Sequence, residues 1–259
     1  MKSKQLIMAL ALACFLPQSR ASLILGTADS FAVLAGTTVT STGTAGTVLN
    51  GDLGVSPGTA ITGFPPGLVN GAIHTADGVA LQAIIDAHFA YTTLQTQPFI
   101  QDLTGQDLGG LTLSPGVRKF DTSAQLTGIL TLDALGNSNA RFDFQIGSTL
   151  TTASSSSIRL INGAQADNVF WQVGSSATLG TSTEFDGTII ADQSITLNTG
   201  AIMFGRALAI NGAVTLDFNE ITVPTGIPEP AYFWPLALGT LIFGTCKWSI
   251  ARKRQPKCS

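Results

Sequence analysis

Between Leu23 and Pro224 the chain has no cysteine, because Cys14, Cys246 and Cys258 all lie outside that interval. A disulfide framework and a thiolate metal site are excluded there, so packing and backbone hydrogen bonds must hold the fold. Positive charge is scarce as well. Only Arg118, Lys119, Arg141, Arg159 and Arg206 stand in the interval against fifteen acidic side chains, which leaves it ten charges negative. Nucleic-acid binding depends on basic residues that displace counterions, and a domain this acidic does not suit it. Histidine is limited to His74 and His88. Asp86 is near His88 in sequence, but no serine or cysteine nucleophile motif accompanies them, and no acidic cluster suited to calcium is evident. The sequence therefore points to no enzyme, no cofactor and no metal.

What the chain does have is 28 glycines and many Thr, Ser, Val, Ile and Leu among its 259 residues, a composition that suits short strands broken by turns. The stretch Ser176–Ala209 holds one unit twice. Ser176-Ala177-Thr178-Leu179 returns as Ser194-Ile195-Thr196-Leu197, Thr181 as Thr199, Gly187 as Gly205 and Ala191 as Ala209, each 18 residues on. A short fixed period is the mark of a solenoid. Eighteen residues make three short strands and three corners, and no such coil buries its apolar side without a neighbour. Thr151 matches Thr178 in pattern at a distance of 27, which places an excess near Ile161–Asp167. The last coil, Gly212–Val223, has one additional residue before Thr215, which predicts a bulge.

Upstream, Leu25–Leu49 reads as strand, Asn50–Gly58 as tight corners, and Phe64-Pro65-Pro66-Gly67 as a loop. Thr75–Gln97 is the one expected helix, capped by Thr75 or Asp77 and stopped by Pro98. Leu81, Ile84, Ile85, His88 and Leu94 fall near one face, which should lie on the solenoid and cover a flank of its core. The pair Phe170-Trp171 suggests sugar stacking, but it continues a strand whose alternate residues point inward, so core aromatics are the expected reading.

The two ends read as processing segments. Lys2 and Lys4, the apolar run Leu6–Leu16 and Ser19-Arg20-Ala21 have the order of a secretory signal over 1–21. Ala11-Leu12-Ala13-Cys14 imitates a lipobox, but cleavage there would leave an unusually short signal. Beyond Ile227-Pro228-Glu229-Pro230, the apolar stretch 231–251 is long enough to cross a bilayer, and the basic tail 252–259 follows. The positive-inside rule keeps that tail cytoplasmic and the solenoid outside. Trp234 and Trp248 would mark the membrane interfaces.

Several separated stretches resemble the microbial ice-binding protein family: Asn50–Gly58, Gly110–Gly116, Gly163–Ala166 leading to Val169–Val173, and Phe185–Ala191. The resemblance covers roughly Leu25–Pro224. It implies an all-β fold with one helix, a right-handed discontinuous β-solenoid of triangular cross-section with the helix packed alongside. It also implies that the N-terminal coil sits beside coils from the C-terminal part. The segment 225–259 resembles a PEP-CTERM sorting signal, with Pro228, Glu229 and Pro230 as its motif. That likeness implies cutting by an exosortase-type protease and delivery to the cell envelope, the cell surface or the exterior.

The family's activity implies a partner, the surface of an ice crystal. A stack of coils sets equivalent residues about 4.7–4.9 Å apart, and outward residues two apart on a strand about 6.4–6.8 Å apart. Thr or small residues on that grid can order water into an ice-like layer, provided that the face is uncharged. Thr151, Thr178 and Thr196 make one candidate column; Thr181 and Thr199, with Thr183 beside the first, make another. Thr44-Ala45-Gly46-Thr47 matches a Thr-(Ala or Gly)-x-(Thr or Asn) pattern found on the ice face of some family members, which adds Thr44 and Thr47. Two other classes stay open on sequence alone. The solenoid could be a spacer in a surface adhesin or matrix component, or a carbohydrate-active β-helix.

Overall fold

A computed structural model describes residues 24–44 and 46–224. The signal segment, the sorting motif, the apolar stretch and the basic tail lie outside the described residues, as does Ala45 of the Thr44–Thr47 pattern. All described residues belong to one compact unit.

Short strands stack into three parallel ladders. The first runs through Ala124–Leu126, Leu150–Thr152, Ala177–Leu179, Ile195–Leu197, Val214–Asp217, Thr38–Thr42 and Ala60–Thr62, and is called the threonine ladder below. A second ladder carries the helix. It includes Gly116–Phe120, Phe142–Ile146, Val169–Val173, the later halves of Glu184–Ala191 and Ile202–Ala209, then Phe31–Ala35 and Asp52–Val55. The third takes Ile129–Asp133, Ser157–Ile161, the earlier halves of the same two long strands, Glu220–Thr222 and Val48–Asn50. The 18-residue period is a physical register: Thr178 pairs with Thr196, Gly187 with Gly205 and Ala191 with Ala209.

Corners are set by local chemistry. Where the threonine ladder turns into the third ladder, Gly128, Ser155, Ser182, Gly200, Phe218 and Gly43 each hold a positive φ, one per coil. Gly200 takes that conformation without steric penalty, whereas Phe218 at φ 51° depends on the stack around it. The residues in excess of 18 fall in the loop after Ile161, where Ala166–Asn168 forms a 3-10 turn. The additional residue before Thr215 sits in the corner between Ala209 and Val214, so no bulge interrupts the ladder there.

Two cores result. Inward side chains, among them Phe120, Phe142, Phe144, Trp171, Phe185, Ile189 and Leu197, fill the solenoid. Trp171 stacks on Phe144 with ring centroids 3.8 Å apart. Its neighbour Phe170 points the other way and packs beneath the helix. Both aromatics are buried, as alternation along a strand requires, and neither offers a platform for a sugar.

The helix, α1, spans Gly78–Gln95; the Asp77 carboxylate caps it by accepting from Ala80 N at 2.8 Å. Its buried face differs from the expected one. Ala80, Ala83, Ala87, Ala90, Tyr91 and Leu94 are buried, while Leu81 and Ile85 are half exposed and His88 is exposed. Small residues let the helix approach the ladder closely, and Phe31, Leu34, Phe170, Ile190 and Leu208 supply the bulk from below. At the far end Gln145 Nε2 donates to the carbonyls of Leu94 and Gln97 at 2.7 and 2.8 Å, which ties the C-terminal end of the helix to the ladder.

The N-terminal region also departs from the expectation at two places. Gly26–Ser30 is a 3-10 turn rather than strand, and the stretch Asn50–Gly58 carries the strand Asp52–Val55 between its corners. This coil stands beside the last one: Val33 pairs with Ala207, Thr40 with Thr215 and Leu49 with Ile221. Arg206, 1% exposed, staples it there. Its guanidinium donates to Asp29 Oδ1 at 2.7 Å, to the Asp29 carbonyl at 2.7 Å and to Asp167 Oδ1 at 2.9 Å. These acceptors offset the cost of taking the cation out of water.

Candidate functional site

Outward residues of the threonine ladder form one unbroken column in register: Gln125, Thr151, Thr178, Thr196, Thr215, Thr40 and Thr62. Parallel pairing holds the rungs about 4.8 Å apart, so the seven extend about 29 Å. The flanking strand residues, such as Ala177 and Leu179 or Ile195 and Leu197, are buried inward and lock each rung's backbone. Two positions upstream in each strand a second column runs parallel: Ser123, Thr149, Ser176, Ser194, Ala213, Thr38 and Ala60. Its hydroxyls link successive coils, with Thr149 Oγ1 donating to Ser123 Oγ at 2.8 Å and Ser194 Oγ accepting from Ala213 N at 3.1 Å. None of these fourteen residues is charged.

The sequence candidates separate into three groups. Thr151, Thr178 and Thr196 share the main column. Thr181 and Thr199 are exposed at the corner that borders it, where the Ser182 N–H donates to the Thr199 carbonyl at 3.1 Å. The Thr199 hydroxyl is held by the Asp217 carboxylate, which brings a charge to that margin. Thr44 is exposed in the bend after Thr38–Thr42 and lies off the ladder.

Thr47 and Thr183 are fully buried, and their hydroxyls serve the interior. Thr183 Oγ1 meets Thr152 Oγ1 at 2.9 Å and donates to the Ala153 carbonyl at 3.1 Å. Thr47 Oγ1 accepts from Ser41 Oγ at 2.8 Å and from Asn219 N at 3.3 Å. Neither is available to an external surface. A threonine in a turn looks the same in sequence whether its hydroxyl closes a buried corner or faces water.

Rungs Thr215, Thr40 and Thr62 escaped the sequence search. Thr215 is displaced from Thr196 by 19 residues rather than 18, and Thr40 and Thr62 join the column only through the non-sequential placement of the first two coils. The alternation Thr38-Val39-Thr40-Ser41-Thr42 was the available signal.

The other two outer surfaces are of a different kind. Helix α1 covers one. The third ladder exposes Arg159, Glu184 and Glu220 together with Ile202 and Phe204. Near it, burial and the neighbouring Glu184 push the Asp186 carboxyl up to about 6. Burial also raises Asp29 and Asp143, though Arg206 and Arg141 oppose it. All three lie away from the main column. Among the described residues no group of His, Cys, Asp or Glu is placed to hold a metal ion.

The ice-binding-like family model matches residues 33–222. An ice-binding protein of Nostoc sp. (strain HG1) is 59% identical over 215 residues, which cover 82% of this chain and 79% of that protein. Among solved structures, the ice-binding protein of the Antarctic ascomycete Antarctomyces psychrotrophicus superposes with a TM-score of 0.75 at 46% identity, covering 78% of this chain and 98% of that one. An ice-binding protein from an Arctic yeast, described for its antifreeze activity, gives a TM-score of 0.72 at 32% identity over 78% of this chain and 94% of its own. With the fold, the register and the matched span in agreement, this chain belongs to the ice-binding-like family.

Proposed function

We propose that the chain adsorbs to ice through the threonine ladder and so restrains ice growth and recrystallisation. The observation that carries this reading is the uncharged double column, seven rungs long, on the one ladder neither covered by the helix nor studded with charge. Methyls and hydroxyls at about 4.8 Å along the stack and about 6.6 Å across it present a two-dimensional array to water. Each contact is weak. Adsorption arises from many made at once, and a rigid scaffold has little entropy to lose when they form. The three ladders are taken as the walls of a right-handed solenoid of triangular cross-section, with the threonine wall flat. No covalent step is involved.

Under the same reading, residues 1–21 export the chain and the segment from Pro228 directs it to the cell envelope or exterior. An exosortase-type protease and, before processing, the membrane are its partners there. Support comes from the order of charged, apolar and small residues at one end, and of motif, apolar stretch and basic cluster at the other.

The test is ice shaping and recrystallisation by the purified protein beside its Thr196→Arg variant. Faceted crystals with the parent and loss of faceting with the folded variant are expected. Crystals that grow as in buffer with the parent, or equal shaping by both, would overturn the assignment.

A further inference from the structure

The threonine ladder is continuous in register but not in chain connectivity. Rungs from Gln125 to Thr215 follow one another along the chain, so each corner fixes the height of the next rung. Thr40 and Thr62 come from the first two coils of the chain, and no corner joins the first of them to the strand Val214–Asp217 beside it. A five-rung piece and a two-rung piece must therefore be aligned by something other than chain connectivity.

Asn219 stands at this seam, 3% exposed, with every polar group of its side chain engaged. Its Nδ2 donates to the carbonyls of Asn198 at 2.9 Å and Ala201 at 3.1 Å, in the coil that carries Thr196. Its Oδ1 accepts from Asp217 N at 2.6 Å, two residues past Thr215. Its own N–H donates to Thr47 Oγ1 at 3.3 Å, and its carbonyl accepts from Val48 N at 2.8 Å, both in the coil that carries Thr40. Ser41, the residue after Thr40, closes the knot by donating to Thr47 Oγ1 at 2.8 Å. Asn219 thus ties three consecutive coils: its side chain holds the corner to the coil of Thr196, and its main chain, fixed by that side chain, meets the Thr47 hydroxyl and Val48 N in the coil of Thr40; buried amide bonds of this kind have narrow geometry.

We propose that Asn219, together with Thr47, is a positioning residue for ice adsorption: it sets the height of Thr40 and Thr62 against Thr215, so that the two pieces act as a single seven-rung surface. This rests on the ice-binding reading of the ladder. Asn219 touches no ice; it acts through the rungs it aligns.

A double-mutant comparison in the full chain tests it. Asn219→Ala and Thr40→Lys are each expected to raise the concentration that arrests recrystallisation about five- to tenfold, and the pair together no more than either alone, because a rung already misplaced has little left to lose. Thr47→Val, which keeps the shape and removes the acceptor, should act in the same direction if Asn219→Ala folds poorly, and Thr47→Ser should restore activity. Hydrogen exchange reads the placement without ice: amides of Val39–Ser41 should exchange faster in Asn219→Ala, with those of Ile195–Leu197 unchanged. Parent activity in folded Asn219→Ala and Thr47→Val would overturn the proposal, and so would losses that simply add in the double variant. A parent inactive on ice would remove the functional reading, while unchanged exchange at Val39–Ser41 would remove the positioning role itself.

Discussion

Thr40 and Thr215 stand side by side on one ladder, paired in register, although one belongs to the first coil of the described chain and the other to the last. Their adjacency puts the place where distant parts of the chain meet inside the proposed ice surface, between its fifth and sixth rungs.

Position along the column should therefore grade the effect of a charge. Thr215→Arg and Thr196→Arg, with rungs on both sides, are expected to abolish crystal faceting, whereas Gln125→Arg at the end should only weaken it. Arg159→Ala on the third ladder should leave it intact. Ice shaping measured across these four variants checks the order.

Buried hydroxyls should affect stability before activity. Thr183→Val leaves Thr152 Oγ1 and the Ala153 carbonyl short of a partner and is expected to lower unfolding free energy by about 1–3 kcal/mol. Ice shaping of the fraction that remains folded should persist. Denaturant titration beside an ice assay separates the two effects.

Close packing under the helix predicts intolerance of larger side chains. Ala87→Leu forces bulk into the contact with the helix-side ladder and should cost about 1–3 kcal/mol. Leu81→Ala, on the half-exposed side of α1, should cost well under that. Thermal denaturation of both variants tests the assignment of the buried face.

Asp186 sets a pH dependence with a definite sign. Its carboxyl titrates near 6 in the folded protein against 3.8 as the ordinary value, so the folded state holds a proton that the unfolded state has released between those limits. Stability from this group should fall as pH rises from about 4 to about 6 and stay level above. Asp186→Asn should then stabilise the protein by about 1–3 kcal/mol at pH 7.5 and flatten the profile. Asp29 and Asp143, raised by burial, contribute with the same sign. Denaturant midpoints from pH 4 to pH 8 provide the check.

The staple at Arg206 should matter more than its charge alone suggests. Arg206→Met leaves Asp29 and Asp167 facing each other without a cation, and is expected to cost about 3–5 kcal/mol as a broken buried ion pair. Faster hydrogen exchange across Phe31–Ala35 should accompany the loss.

Sequence alone carried the solenoid through the repeat at Thr178 and Thr196, the helix through Asp77 and Pro98, and three of the seven rungs. It missed Thr40 and Thr62 because their neighbours are decided by threading, which leaves no periodic trace in the chain. Thr47 and Thr183 misled for a different reason: inside or outside, a hydroxyl at a corner satisfies the same local geometry, and only the third dimension distinguishes them. On the helix, bulk is a poor signal for burial: Leu94 is buried and Ile84 partly so, but Leu81, Ile85 and His88 face outward. Against the helix-side ladder close approach favours alanine, and Ala83, Ala87 and Ala90 turn inward where Leu81 and Ile85 do not.

Order in space and order in synthesis disagree in this fold. Phe31–Ala35, buried at every position in the finished protein, is made early, yet one of its two partners, Ala207–Ala209, emerges near the end. Until then an apolar strand keeps an unpaired edge, the kind of edge on which chains aggregate. Pairing across 174 residues, as between Thr42 and Leu216, also makes for slow folding. Completion of the array is thereby tied to completion of the coil that holds Thr215, so the seven rungs are assembled together or not at all.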